Sequence, residues 1–111
     1  MLSLDELAAD KLLALFDRAQ ARDFIDVQAL VERVGLRRMC ELAAEKDHGF
    51  SPDLLFDMLG SLGRFGAEDL GIDDGGRHAL IRSVDQWRQV LSELTQHSRR
   101  RPEQPGPGLS I

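Results

Sequence analysis

Apolar residues in this chain recur at steps of three and four, run after run, and no segment alternates as a half-buried strand would. A period near 3.6 gathers side chains on one helix face, whereas a strand needs a period of two. That feature leaves a helical bundle as the fold class. Leu4, Leu7, Ala8, Leu12, Leu15 and Phe16 form the first stripe. It follows Ser3-Leu4-Asp5-Glu6, which has the spacing of a capping box, and its helix is predicted to run to about Gln20. A second helix is predicted from near Arg22, on Phe24, Val27, Leu30, Val31 and Val34, with Gly35 ending it. Leu36 to Lys46 makes a third, with Leu36, Met39, Cys40 and Ala43 inward, and Asp47-His48-Gly49 stops it.

Ser51-Pro52 supplies an N-cap with proline at the first helical position. Leu54, Leu55, Met58, Leu59 and Leu62 carry that fourth helix to about Arg64. Gly63, Gly66 and Gly71 then open a loop holding a short turn at Ala67–Leu70. The last helix is predicted from about Arg77 to His97, on Leu80, Ile81, Val84, Trp87, Val90, Leu91 and Leu94. Beyond it, proline and glycine alternate with arginine and other polar residues, the composition of a disordered tail. The expectation is all-α: a compact bundle of about five helices over residues 1–97 and a disordered tail over 98–111.

Charge and cysteine narrow the function classes. A formal charge of −5 does not advertise a broad phosphate-binding surface, and the tail's three arginines mean that the acidic balance belongs to the helices. No helix shows the basic exposed face that a recognition helix needs, so helix-turn-helix DNA binding is weak. Cys40 is the single cysteine, which excludes an intramolecular disulfide and reads as a buried small hydrophobe. No HExxH and no Cys/His cluster occurs, and His48, His78 and His97 lack paired ligands, so a zinc site is not expected. Trp87 fits its helix stripe and reads as core. Asp5 and Glu6 stand where a signal peptide would be basic, and no apolar run reaches the roughly 18 residues of a membrane span. A cytoplasmic protein with no membrane contact is expected.

Two places break the apolar pattern. Lys11 lies one turn after Leu7 and one before Leu15, on the inside edge of the first stripe. It reads either as a lysine covering the core with its methylenes or as a cation aimed into a polar site to hold an anion. In Arg22-Asp23-Phe24-Ile25-Asp26 the two acids stand three apart, on one side of a helix's first turn. Carboxylates are favoured there by the helix dipole, with Asp23 as a capping acid. Alternatively they hold a metal or orient a hydroxyl. If the first two helices are antiparallel, Lys11 and the two acids reach one cleft.

The run from Glu6 to Val27 resembles the AbiEii/AbiGii nucleotidyltransferase toxin family, whose members carry a lysine early in a helix, an arginine one or two turns on, then Arg-Asp-x-x-Asp. Here those are Lys11, Arg18, Arg22, Asp23 and Asp26. The Leu36–Lys46 helix, the Phe50-Ser51-Pro52 restart and the Met58-Leu59-Gly60-x-Leu62 run are compatible with that family's C-terminal helical part. The resemblance implies a bacterial toxin of a toxin–antitoxin or phage-defence system. Its activity would be transfer of a nucleotidyl group from an NTP with Mg2+, with tRNA as acceptor in some relatives. It implies Asp26 and Asp23 as catalytic carboxylates, and Lys11 and Arg22 as nucleotide-binding cations.

In that family the metal-binding acids and a Gly-Ser motif belong to an α/β palm N-terminal to this region. Gly60-Ser61 is predicted inside a late helix and does not stand in for that motif. The chain therefore resembles the C-terminal helical portion alone, from a split, truncated or mis-started gene. No metal site or cofactor is expected for it in isolation, and it is expected to be inactive without a palm. The implied partners are a separate palm domain or chain, an antitoxin, and tRNA only within a complete enzyme. The alternative is a free-standing helical interaction or regulatory module. A palm-less half should also expose apolar surface through which copies associate.

Overall fold

A computed structural model of the chain describes residues 3–100, with side chains through residue 96. Residues 98–100 of the predicted tail are helical, so the last helix passes its predicted end at His97; the rest of the tail lies outside the described residues. Six helices follow one another: α1 (Leu4–Arg18), α2 (Ala21–Val34), α3 (Leu36–Lys46), α4 (Pro52–Leu59), α5 (Ala67–Leu70) and α6 (Asp74–Arg100), with a 3-10 turn over Gly60–Arg64. Among the described residues there is no strand.

The local signals work largely as the sequence implies. Glu6 N–H donates to Ser3 Oγ at 3.1 Å while Ser3 N–H donates to Glu6 Oε1 at 3.0 Å, the reciprocal capping box. Those contacts hold the Glu6 carboxyl below the usual carboxylate range, the Ser3 backbone N–H first among them. Gly35 joins α2 to α3 at φ 92°, a conformation that disfavours any side chain, and so lets the two helices change direction without a loop. Ser51 Oγ accepts the Leu54 N–H at 3.4 Å, with Pro52 at the first helical position.

Two further boundaries differ from the periodicity. Where a single helix is predicted to Arg64, the α-helix stops at Leu59 and the chain tightens into the 3-10 turn. Gly60 and Gly63 weaken the α-helix there, and i→i+3 bonding takes over. Phe65 N–H closes the turn on Leu62 O at 3.0 Å. The last helix starts at Asp74 rather than near Arg77 because Asp73 caps it. Its Oδ1 accepts the Gly76 N–H at 2.7 Å, and its carbonyl accepts the Arg77 N–H at 2.9 Å. The two glycines are thereby drawn into the first turn.

The core is the inward stripes meeting. α1 packs against both α2 and α3, while α4 lies along α6. Leu12, Leu15, Phe24, Val27, Met39, Leu55, Leu59, Leu80 and Leu91 are buried, and Trp87 with Val84 completes the α6 face. Phe24 meets Phe65 edge-on at 6.2 Å, and Phe16 meets Phe50 at 5.1 Å. Among the described residues the exposed large hydrophobics are Leu4 and Leu54, both of which the periodicity counted as inward. Leu55 and Leu59 take the buried side of the short α4, which turns Leu54 outward.

Candidate functional site: the α1–α2 hairpin

The site begins with a two-residue reversal. After Arg18, Ala19 adopts the left-handed conformation (φ 47°, ψ 49°) and its N–H returns to Leu15 O at 2.9 Å. Gln20 is extended, and α2 begins at Ala21. So short a connection folds α2 back antiparallel along α1. Residues early in α1 therefore face residues later in α2, and two ion-pair rungs join the helices: Arg18 opposite Asp23, Lys11 opposite Asp26.

The rung nearer the turn is closed. Arg18 Nε donates to Asp23 Oδ2 at 2.9 Å and to Oδ1 at 3.2 Å, and Nη2 donates to Oδ1 at 2.8 Å. Gln20 N–H donates to Oδ2 at 2.9 Å, so the same carboxylate caps α2. Asp23 is only 1% exposed, while the Arg18 side chain remains 53% exposed. The Arg18 hydrogen bonds hold the Asp23 carboxyl below the usual carboxylate range, against the opposing effect of burial. The same contact raises the Arg18 guanidinium. Both oxygens of Asp23 are spent, and a ligand would have to break the helix cap to reach them.

The second rung is open. Lys11 Nζ lies 3.4 Å from Asp26 Oδ2, with the two side chains 41% and 30% exposed. This is the juxtaposition that the spacing predicts for antiparallel helices, brought from residues 15 positions apart in the chain. One long contact and partial exposure leave both groups able to exchange partners. A lysine can leave a carboxylate for a phosphate oxygen, and the freed carboxylate can accept from a hydroxyl.

Arg22 is exposed and enters none of the ion pairs among the described residues. The cation that holds Asp23 is Arg18. Its role has a sequence signal: a basic residue ending one helix stands five residues before an acid in the first turn of the next. Once the connection is known to be two residues long, those side chains must meet.

The carboxylates of this hairpin do not fit a divalent cation. Asp23 is fully committed, Asp26 faces a lysine, and among the described residues no three metal-donor side chains converge. Elsewhere, Cys40 is buried and its thiol is pushed up to about 12 by that burial. His48 and His78 are exposed, and Trp87 is buried as the stripe implies. Ser61 lies in the 3-10 turn after α4. No helix among the described residues is long and apolar enough to cross a membrane.

No curated protein and no solved structure matches the chain. A family model does: "Nucleotidyl transferase AbiEii toxin, Type IV TA system" matches residues 1–104, which takes in both rungs of the hairpin and all six helices. The chain belongs to the AbiEii nucleotidyl transferase toxin family.

Proposed function

We propose that the α1–α2 hairpin supplies a cation and a carboxylate to a nucleotidyl-transfer site of a toxin–antitoxin system. Lys11 releases Asp26 and binds the phosphates of the incoming NTP. Asp26 accepts a hydrogen bond from the acceptor hydroxyl and takes its proton as the oxygen bonds to the α-phosphorus. The bond from the α-phosphorus to the bridging oxygen breaks, and pyrophosphate leaves. Arg22, exposed on the first turn of α2, is the second cation for the phosphates. Asp23 acts through Arg18 and Gln20, keeping the hairpin closed so that Lys11 and Asp26 stay opposite each other.

The observation that carries this reading is the difference between the rungs. Two acids that look alike in Arg-Asp-x-x-Asp have unlike environments, and only Asp26 is accessible, beside a cation that is itself accessible. Transfer also requires neutralisation of the triphosphate by metal ions, for which these helices offer no donor set. We therefore assign those ligands to a palm element outside residues 3–100, and an antitoxin chain as the regulatory partner.

The test is transfer of label from radiolabelled NTPs to total tRNA in the presence of magnesium, with and without a palm domain from a complete family member. Label should enter tRNA when the palm is added and not otherwise. Transfer by this chain alone would overturn the requirement for a palm. A palm-supported rate that stayed unchanged in Lys11→Ala and Asp26→Ala would overturn the site.

A further inference from the structure

Beside the closed rung, between the end of α1 and the Gly60–Arg64 turn, lies a depression of about 500 Å³. Its charged and polar lining is Arg18, Asp57, Ser61 and Arg64, and Ala19 and Met58 also line it. Three features of that lining are unspent. Arg64 is exposed and has no ion-pair partner among the described residues. Arg18 gives Nε and Nη2 to Asp23, which fixes its guanidinium plane and leaves Nη1 without a bond. Ser61 Oγ is buried and has no hydrogen-bond partner. A buried hydroxyl left unpaired is costly, and such groups in folded proteins are generally met by water or a ligand.

We infer that this depression is a phosphoester subsite, in which Arg64, Arg18 Nη1 and Ser61 Oγ donate to the phosphate oxygens. Three donors around one concavity suit a tetrahedral oxyanion, and an anchored arginine loses little freedom on binding it. The space exceeds what a bare ion needs and matches that of a small organic ligand. Asp57, the acid in the lining, accepts from hydroxyl or amino donors on the remainder of the same molecule. Phosphate joined to a donor-rich body describes a free nucleotide or one unit of a nucleic-acid strand. The site lies apart from Lys11: Arg18 stands seven residues from it on α1, about 10 Å along the axis.

The experiment is an NMR titration of the isotopically labelled full chain with inorganic phosphate, adenosine monophosphate and a short single-stranded oligoribonucleotide. Saturable shifts are expected at the Ser61 and Arg64 amides and at the Arg18 Nε–H. Arg64→Ala, which removes an exposed side chain, should leave the far-ultraviolet spectrum unchanged and weaken phosphate about tenfold. Ser61→Ala should weaken it less. Asp57→Asn should strengthen inorganic phosphate, which has no body for Asp57 to bind, by removing a like charge from the lining. Tighter binding of the nucleotide than of the strand identifies a free nucleotide as occupant, and the reverse order identifies a nucleic-acid backbone. Lys11→Ala should leave these shifts in place, so failure of the transfer proposal and failure of this one read separately. Linear, unsaturating shifts, or an affinity indifferent to Arg64→Ala, would overturn the subsite.

Discussion

Replacing Asp23 with alanine should unfold this protein far more readily than replacing Asp26, although the two acids lie one helical turn apart. Asp23→Ala removes the α2 cap, since Gln20 N–H loses its 2.9 Å acceptor, and a lost cap costs about 1 kcal/mol. It also removes the forked Arg18 contact, whose bonds to a charged group are worth about 1.5–3 kcal/mol. Full loss of a buried pair would cost about 3–5 kcal/mol, but Arg18 is half exposed and returns to water, so the total should fall near 2–4 kcal/mol. Domains of this size have total stabilities of about 5–15 kcal/mol, and each kcal/mol shifts the melting temperature by about 4–8 °C. Asp26→Ala removes one 3.4 Å contact between partly exposed groups and should cost about 0–1 kcal/mol. Urea unfolding followed by circular dichroism measures both. Arg18→Ala combined with Asp23→Ala should cost much less than the sum of the two single changes, because they remove one interaction. Equal losses at Asp23 and Asp26, or strict additivity of Arg18 with Asp23, would refute the assignment of Asp23 to the frame.

Lowering the pH should probe the same carboxylate. Its folded-state pKa lies below the ordinary value near 4, so the stability it contributes is fully present above about pH 4 and is lost as pH falls through the folded value. An acid-unfolding profile should therefore flatten in Asp23→Ala relative to the parent, and an unchanged profile would contradict it. Ala19→Gly should stabilise the chain by a few tenths to about 1 kcal/mol, since a left-handed alanine costs about 1–2 kcal/mol and the glycine's freer unfolded state offsets part of that gain; thermal melts check it. The Cys40 thiol, pushed up to about 12, should resist a thiol-reactive dye at pH 8 in the folded protein and react fully in urea. Rapid labelling of the folded chain would show that the α3 face is open.

How far the fold is legible in the sequence depends on the kind of signal. The third helix, Leu36–Lys46, and the short Ala67–Leu70 turn are predicted at their observed bounds because glycine and apolar spacing mark both ends. The Asp74 start of α6 is missed because two glycines read as a loop, whereas Asp73 supplies a cap strong enough to draw them into the helix. Leu54 is misplaced because α4 turns Leu55 and Leu59 to the core, and periodicity alone does not choose which of two adjacent leucines takes that side. At the site, Lys11 and Asp26 are legible as an antiparallel pairing. The separate fates of Asp23 and Asp26 are not, because they depend on the length of the Ala19-Gln20 reversal and on which arginine that reversal presents. The turn delivers Arg18 to Asp23 and leaves Arg22 facing solvent. The depression at Ser61 depends on a long-range approach between α1 and the 3-10 turn, of which the sequence carries no local mark.

In the proposed site Lys11 and Asp26 perform the chemistry while Asp23 holds the hairpin that presents them. The most direct test of that division is the palm-supported transfer rate per folded molecule for Lys11→Ala, Asp26→Ala and Asp23→Ala, assayed well below each variant's melting temperature. Loss of general acid–base help alone is worth about 10²–10⁴-fold. Lys11→Ala and Asp26→Ala should lose activity on that scale while melting close to the parent, and Asp23→Ala should melt early yet keep most of its rate per folded molecule. Retained activity in Asp26→Ala, with abolished activity in a fully folded Asp23→Ala, would reverse the two roles.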